Sequence, residues 1–247
     1  MLDSHEFDVV HYHNISLLGG PNVLKYGRGV KLCTMHDYWF VCPMHVLWRN
    51  DREACTKRSC FTCTLRGHRP PQLWRYTGSL RRAVRHVDAF IAPSRSAAVL
   101  QAGNGFPAPI HHIPNFLPVH RNGDIGAHPT APIHPRPYFL YVGRLEKLKG
   151  VQVLLELFRE YTAADLLIAG AGTYEGELRG QAEGLSHVHF LGKVDYERLQ
   201  ETYRQALAVL VPSLCFETFG FVVIEAFSTH TPVLVNAIGA LPEVAGG

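Results

Sequence analysis

An alternation runs through residues 137–236, and it limits the fold more than any other feature. Short apolar runs take turns with stretches of helical spacing. "PYFLYVG" (137–143), "DLLIAG" (165–170), "VHFLG" (188–192), "LAVLVPS" (207–213) and "TPVLVN" (231–236) are β-prone and unbroken by polar residues on alternate positions. Between them, "GVQVLLELFREY" (150–161) has apolar residues at Val151, Leu154, Leu155, Phe158 and Tyr161, which is helical spacing. "TYEGELRGQAEG" (173–184), "DYERLQETYRQA" (195–206, with Asp195 as N-cap) and "FVVIEAFS" (221–228) read as further helices. A strand with one wet face alternates; an unbroken one is covered on both faces. The pattern therefore specifies an α/β architecture with parallel sheets.

Residues 7–115 repeat the theme less regularly. "FDVVHYHN", "GVKLCTMHD", "DAFIAPS" and "IHHIPN" read as strands, and "SLRRAVRHV" and "SAAVLQAG" as helices. Residues 122–136 are rich in Pro and Gly without periodicity, so they read as a linker between a domain at 1–121 and another at 137–247. A net charge of +3, with no basic run interleaved with aromatics, argues against a nucleic-acid partner. No apolar run reaches the roughly 18 residues of a membrane span, and the acidic start is unlike a signal peptide. These features point to a cytoplasmic protein, in which the six cysteines are reduced or metal-bound.

Two segments carry candidate chemistry. "VGRLEKLKG" (142–150) joins a strand to a helix, the place where open α/β sheets bind ligands. Arg144 and Lys149 there can clamp a diphosphate, although an exposed basic loop has the same spacing. The apolar stretch 211–236 is interrupted by Glu217 and Glu225. A buried carboxylate is costly unless paired. Either these two satisfy donors inside the fold, or they accept from ligand hydroxyls beside the helix N-terminus that follows Gly220, itself an anion site.

The ordered set "HDYW" (36–39), "IPNF", "GRLEKLKG", "FLGKV", "VPS" and "ETFGFVVIEAFSTHTPVLVNAIGALPEV" resembles the retaining glycosyltransferases of family 4, with their E-x7-E signature and G-R-x4-K-G loop. The resemblance implies a GT-B-type fold: two Rossmann-like parallel-sheet domains facing a cleft, both incomplete here. It implies transfer of a sugar from a nucleoside-diphosphate sugar to an acceptor, with retention. Arg144 and Lys149, with Gly143 beside them, bind the diphosphate and stabilise the departing charge. Glu225 holds the ribose, and Glu217 lies near the sugar. Phe219, Gly220 and Phe221 contact sugar and phosphate, and Val194 lies near the base. His36 approaches the sugar from the first domain; otherwise it is a hydrogen-bonded histidine at a strand end. No catalytic cofactor is implied, because the two cations stand where other enzymes place a metal. An epimerase of the same architecture and an inactive nucleotide-sugar-binding fragment are the alternatives.

The Gly-rich loop usual near the family's N-terminus has no counterpart, and the chain stops before the expected last strands, so the sequence reads as a fragment. Its acceptor is unknown. Cys42, Cys55, Cys60 and Cys63 in the insertion 42–63 have spacing that suits one structural zinc, with free thiols or disulfides as the plainer readings. Residues 73–87, basic with apolar residues between, suit peripheral contact with anionic lipid or simply a solvated helix face.

Overall fold

The computed structural model describes residues 6–50, 52–56, 59–117 and 131–246. The chain divides into two compact units. Unit 1 comprises residues 1–115 together with Cys215–Phe219, and unit 2 the remainder.

Unit 1 is built on a four-stranded parallel sheet in the order β1-β2-β5-β6, with β1 Val9–His13, β2 Val30–Thr34, β5 Ala89–Ala92 and β6 Ile110–His112. A small antiparallel hairpin, β3 Trp48–Arg49 and β4 Glu53–Ala54, lies between β2 and β5 in sequence. Helices α1 (Cys60–Arg66), α2 (Ser79–Val84) and α3 (Arg95–Gly103) complete it. The core gathers Leu24, Cys33, Tyr38, Phe40, Phe90 and Phe106. Ser94 caps α3 by accepting from the Ala97 N–H at 2.9 Å. The expectation of strands covered on both faces fails at β1, where Val10 and Tyr12 are buried but Val9, His11 and His13 are exposed. As an edge strand with one open face, it takes the ordinary inside-outside alternation.

Unit 2 is a five-stranded parallel sheet in the order β11-β10-β7-β8-β9. The strands are β7 Tyr138–Val142, β8 Asp165–Ala169, β9 Val188–Gly192, β10 Val209–Val211 and β11 Val233–Val235. The interior strand β8, between β7 and β9, is buried at every residue. Its even-numbered Leu166 and Ile168 face α4 (Val151–Phe158) and α5 (Glu175–Gln181). Its odd-numbered Leu167 and Ala169 face the side of α6 (Tyr196–Gln205), α7 (Phe221–Ser228) and α8 (Leu241–Ala245). Full burial of such side chains is worth about 1.5–3 kcal/mol each, which is why unbroken apolar runs sit here. Asp195 caps α6 as its sequence position foretells, its Oδ1 accepting from the Arg198 N–H at 2.9 Å.

The strand order reverses between β7 and β10. From β7 the chain moves outward to β8 and β9, then returns across β7 to β10 and β11. No helix among the described residues is long and apolar enough to cross a membrane.

Candidate functional site

In unit 2, the loop after β7 and the loop after β10 leave the same end of the sheet, on the two sides of the reversal. Loops at such a point splay apart and leave a crevice outside the carboxyl ends of the strands. They are also fastened together: the Leu214 N–H donates to the Leu148 carbonyl at 2.9 Å. Gly150 closes the first loop at φ +79°, and a β-carbon there would stand 2.0 Å from the Pro212 carbonyl oxygen. The final Gly of the loop is therefore required by its contact with the chain leaving β10.

Arg144 is exposed and donates from Nη1 to Glu146 Oε1 at 2.7 Å. Lys149 closes a short 3-10 turn, Lys147–Lys149. A cavity of about 410 Å3 opens at the carboxyl ends of β7, β8 and β9, lined by Gly143, Arg144, Gly170, Ala171, Lys193 and Val194 among others. Gly143, Arg144 and Val194 thus share one cavity. Lys193, Gly170 and Ala171 were not singled out in the sequence; their signal was position, each lying at or just past a strand's carboxyl end.

Gly220 precedes α7, whose N-terminus has no side-chain cap. A helix start carries the positive end of the helix dipole, which favours an anion. Glu225 lies one turn further along and half-buried, and its Oε2 accepts from the Tyr203 hydroxyl at 2.8 Å. Burial first, then the Glu225 charge and hydrogen bond, push the Tyr203 phenol far up, so it stays a donor. One of the two carboxylates in the apolar stretch is thereby satisfied inside the fold.

The other lies in the segment Cys215–Phe219, which packs with unit 1. Phe216 joins the core of that unit. The Thr218 hydroxyl donates to the His36 carbonyl at 2.9 Å, Ser94 Oγ donates to the Thr218 carbonyl at 2.8 Å, and the Tyr38 hydroxyl lies 3.4 Å from the Glu217 carbonyl. Glu217, Phe219 and His36 are thus held in the same unit, in part by backbone hydrogen bonds.

His36 follows β2 and shares a hydrogen bond with His13, Nε2 to Nδ1 at 2.7 Å. Burial, then the neighbouring His13, hold the His36 imidazole below its ordinary value, against the pull of Asp37. Asp37 is itself anchored, accepting from the Trp39 N–H at 2.8 Å and pairing with His45 at 3.1 Å. His13 and His11, whose rings lie 4.1 Å apart, were missed in the sequence. The two-residue period of "HYH" was the signal that places both on the open face of β1.

The four cysteines of the insertion lie around the hairpin β3–β4 and α1 of unit 1. Cys60 and Cys63 lie on α1, Cys42 is buried and Cys55 half-buried. Among the described residues no three of these sulfurs lie within 4.8 Å of one another. In residues 73–87, Leu73, Tyr76, Arg81 and Arg82 are exposed, while Arg75 is stacked on Trp74 with its Cζ 4.3 Å from the ring centre.

Residues 1–121 match Glycosyltransferase Family 4, and residues 128–246 match Glycosyl transferases group 1. The chain belongs to the family 4 glycosyltransferases. Its paired parallel α/β units are of the GT-B type. Among relatives of this glycosyltransferase chain, a Mycobacterium tuberculosis glycogen synthase is 38% identical over 138 residues, which is 51% of the chain and 33% of the relative. The phosphatidyl-myo-inositol mannosyltransferase of Mycobacterium leprae is 37% identical over 111 residues, 42% of the chain and 29% of the relative. In fold, the chain resembles the crystal structure of HepE from Anabaena in complex with UDP and glucose, with a TM-score of 0.69 at 19% identity, covering 96% of this chain and 61% of that one. The chain therefore spans less than two thirds of the length of these relatives.

Proposed function

We propose that this chain is the donor-binding portion of a transferase that moves a sugar from a nucleoside-diphosphate sugar to an acceptor with retention of anomeric configuration. The observation that carries the reading is the reversal of strand order between β7 and β10, which gathers the loop Gly143–Gly150 and the N-terminus of α7 at one end of the sheet. The complexes of HepE with UDP and with UDP-glucose add support, as properties of that protein.

As the glycosidic bond breaks, negative charge grows on the diphosphate. Arg144, Lys149 and the first N–H groups of α7 are assigned to it, since fixed positive groups aimed at developing charge lower the barrier. Arg144 then exchanges Glu146 for phosphate, an exchange that an exposed ion pair worth about 0–1 kcal/mol permits. Glu225, held by Tyr203, accepts from the ribose hydroxyls, and Val194 borders the base. His36, Glu217 and the backbone of Phe219 and Gly220 are assigned to the sugar by family resemblance. The chemistry needs no metal at the phosphates, because the two cations neutralise them.

Calorimetric titration with UDP, GDP and ADP and their sugars tests the reading, beside an Arg144→Ala/Lys149→Ala variant. Binding of one nucleotide that the double variant loses supports it and names the base. Absence of binding to all of them refutes it. Retention is read from the anomeric proton coupling of the product, and appearance of an epimer of the donor instead would favour the epimerase alternative.

A further inference from the structure

At the opposite end of the unit 2 sheet, where the strands begin, three side chains converge that the proposed reaction does not use. Asp165 is the first residue of β8 and His189 the second of β9, while His134 lies four residues before β7. The pairings Tyr138 with Asp165 and Leu167 with His189 place Asp165 and His189 at that end of the sheet, where His134 precedes β7. His134 Nε2 lies 2.6 Å and His189 Nε2 3.0 Å from the same oxygen, Asp165 Oδ2. The three ligating atoms all fall within 4.8 Å of one another, a grouping without parallel among the described residues.

We infer that His134, Asp165 and His189 form a binding site for one divalent transition ion, zinc foremost. Two imidazoles and one carboxylate suit zinc and its neighbours rather than magnesium or calcium. Tetrahedral zinc with bonds of about 2.1 Å separates its ligand atoms by about 3.4 Å. The two Nε2 to Oδ2 separations need to open by only about 0.8 and 0.4 Å, within reach of small χ rotations. Each imidazole then presents an Nε2 lone pair in place of the N–H it now directs at Oδ2, and moves its proton to Nδ1.

The surroundings fit a ligand set better than a simple hydrogen-bonded cluster. Asp165 is 3% exposed, and its second oxygen, Oδ1, accepts no hydrogen bond. Arg136 Nη1 lies 2.9 Å from Oδ1 but off the line a hydrogen bond requires, so the contact is ionic. The same guanidinium donates from Nη2 to the Thr162 carbonyl at 2.7 Å. Arg136 thus fixes one carboxylate oxygen and leaves the other to the ion, the outer-sphere arrangement that orients metal-bound carboxylates. Being half-exposed, its charge is screened by water. His189 is part-exposed, which gives an ion and a fourth, water ligand a way in. Bound there, the ion fastens residues 131–136, already tied by the Ile133 N–H to Gln205 Oε1 at 2.8 Å, to the start of the sheet. The role is structural.

The chain, freed of metal by chelation, is titrated with zinc by calorimetry and with Co2+ by absorption spectroscopy. One ion per chain is expected. The cobalt spectrum should show ligand-field bands and no thiolate-to-metal charge transfer. His134→Ala/His189→Ala should weaken binding by at least roughly 100-fold, and Arg136→Gln by roughly tenfold. Cys42→Ser/Cys60→Ser should leave it unchanged, and zinc should raise the melting temperature of the wild type and of this cysteine variant but not of the double histidine variant. Failure of the wild type to bind, a thiolate band, or undiminished binding by the double histidine variant would each overturn the site. Should that variant not fold, the wild-type cobalt spectrum decides alone.

Discussion

Gly150→Ala isolates what the contact between the two loops is worth. Two effects are combined at this position. The backbone is left-handed, which costs an alanine about 1–2 kcal/mol, partly offset by about 0.4–1 kcal/mol from a stiffer unfolded chain. The new β-carbon also stands 2.0 Å from the Pro212 carbonyl oxygen, which must retreat by about 1 Å to reach even a tight contact. That retreat pulls on the Leu214-to-Leu148 hydrogen bond, worth about 1 kcal/mol, and adds bond-angle strain of about 1 kcal/mol. The sum is a loss of about 2–3.6 kcal/mol, or roughly 4–14 °C in melting temperature for a chain of this size. Gly184 supplies the control, with φ +83° and nothing within 4 Å of an added β-carbon. Gly184→Ala should lose no more than about 1.6 kcal/mol. Urea denaturation of both variants, with calorimetric nucleotide binding below the melting point, separates strain from clash. Should the two variants lose equal stability, the loops are not in the contact described, and the account of why this loop ends in glycine is wrong.

Tyr203→Phe keeps the packing and removes the donor to Glu225 Oε2. Because Glu225 is only half-buried, the loss should be about 1–2 kcal/mol, with weaker nucleoside binding; unaltered values in thermal melts and titrations would detach the pair from the site. The pH dependence of stability should carry a mark of His36. Its folded value is depressed, so the unfolded chain takes up the proton first, and stability is full above about pH 6.5 and declines as pH falls through the lower, folded value. Melting curves between pH 7.5 and 5.5 should therefore slope more steeply in the wild type than in His36→Gln, and parallel slopes would contradict the assignment. Ser94→Ala should cost about 1–2 kcal/mol, since it removes both the cap of α3 and the hydrogen bond to Thr218, and chemical denaturation reads it directly.

Much of this was legible because it is local. Period and apolar run length name a helix or strand from neighbours in sequence, so all nine strands and all six helices read from periodicity are present. Asp195 was legible as a cap for the same reason. What escaped was small or irregular: the hairpin Trp48–Ala54, the helix Cys60–Arg66 and the short 3-10 turns, whose few residues show no full period. Spacing in the cysteine-rich insertion suggests one metal centre, but the route of the chain through that hairpin and helix is not written in the spacing.

The sequence by itself determined the alternation of strand and helix, the parallel character of both sheets, and the family to which the chain belongs. Tertiary structure alone decided the strand order, and with it the end of the sheet where Gly143, Arg144 and Val194 meet. It also decided that Glu225 would find Tyr203, that Cys215–Phe219 would pack with unit 1, and that His134, Asp165 and His189 would converge. The physical reason is that hydrophobic period fixes which face of an element is buried, whereas partners 22, 24 or 31 residues apart meet only once the sheet has chosen its neighbours.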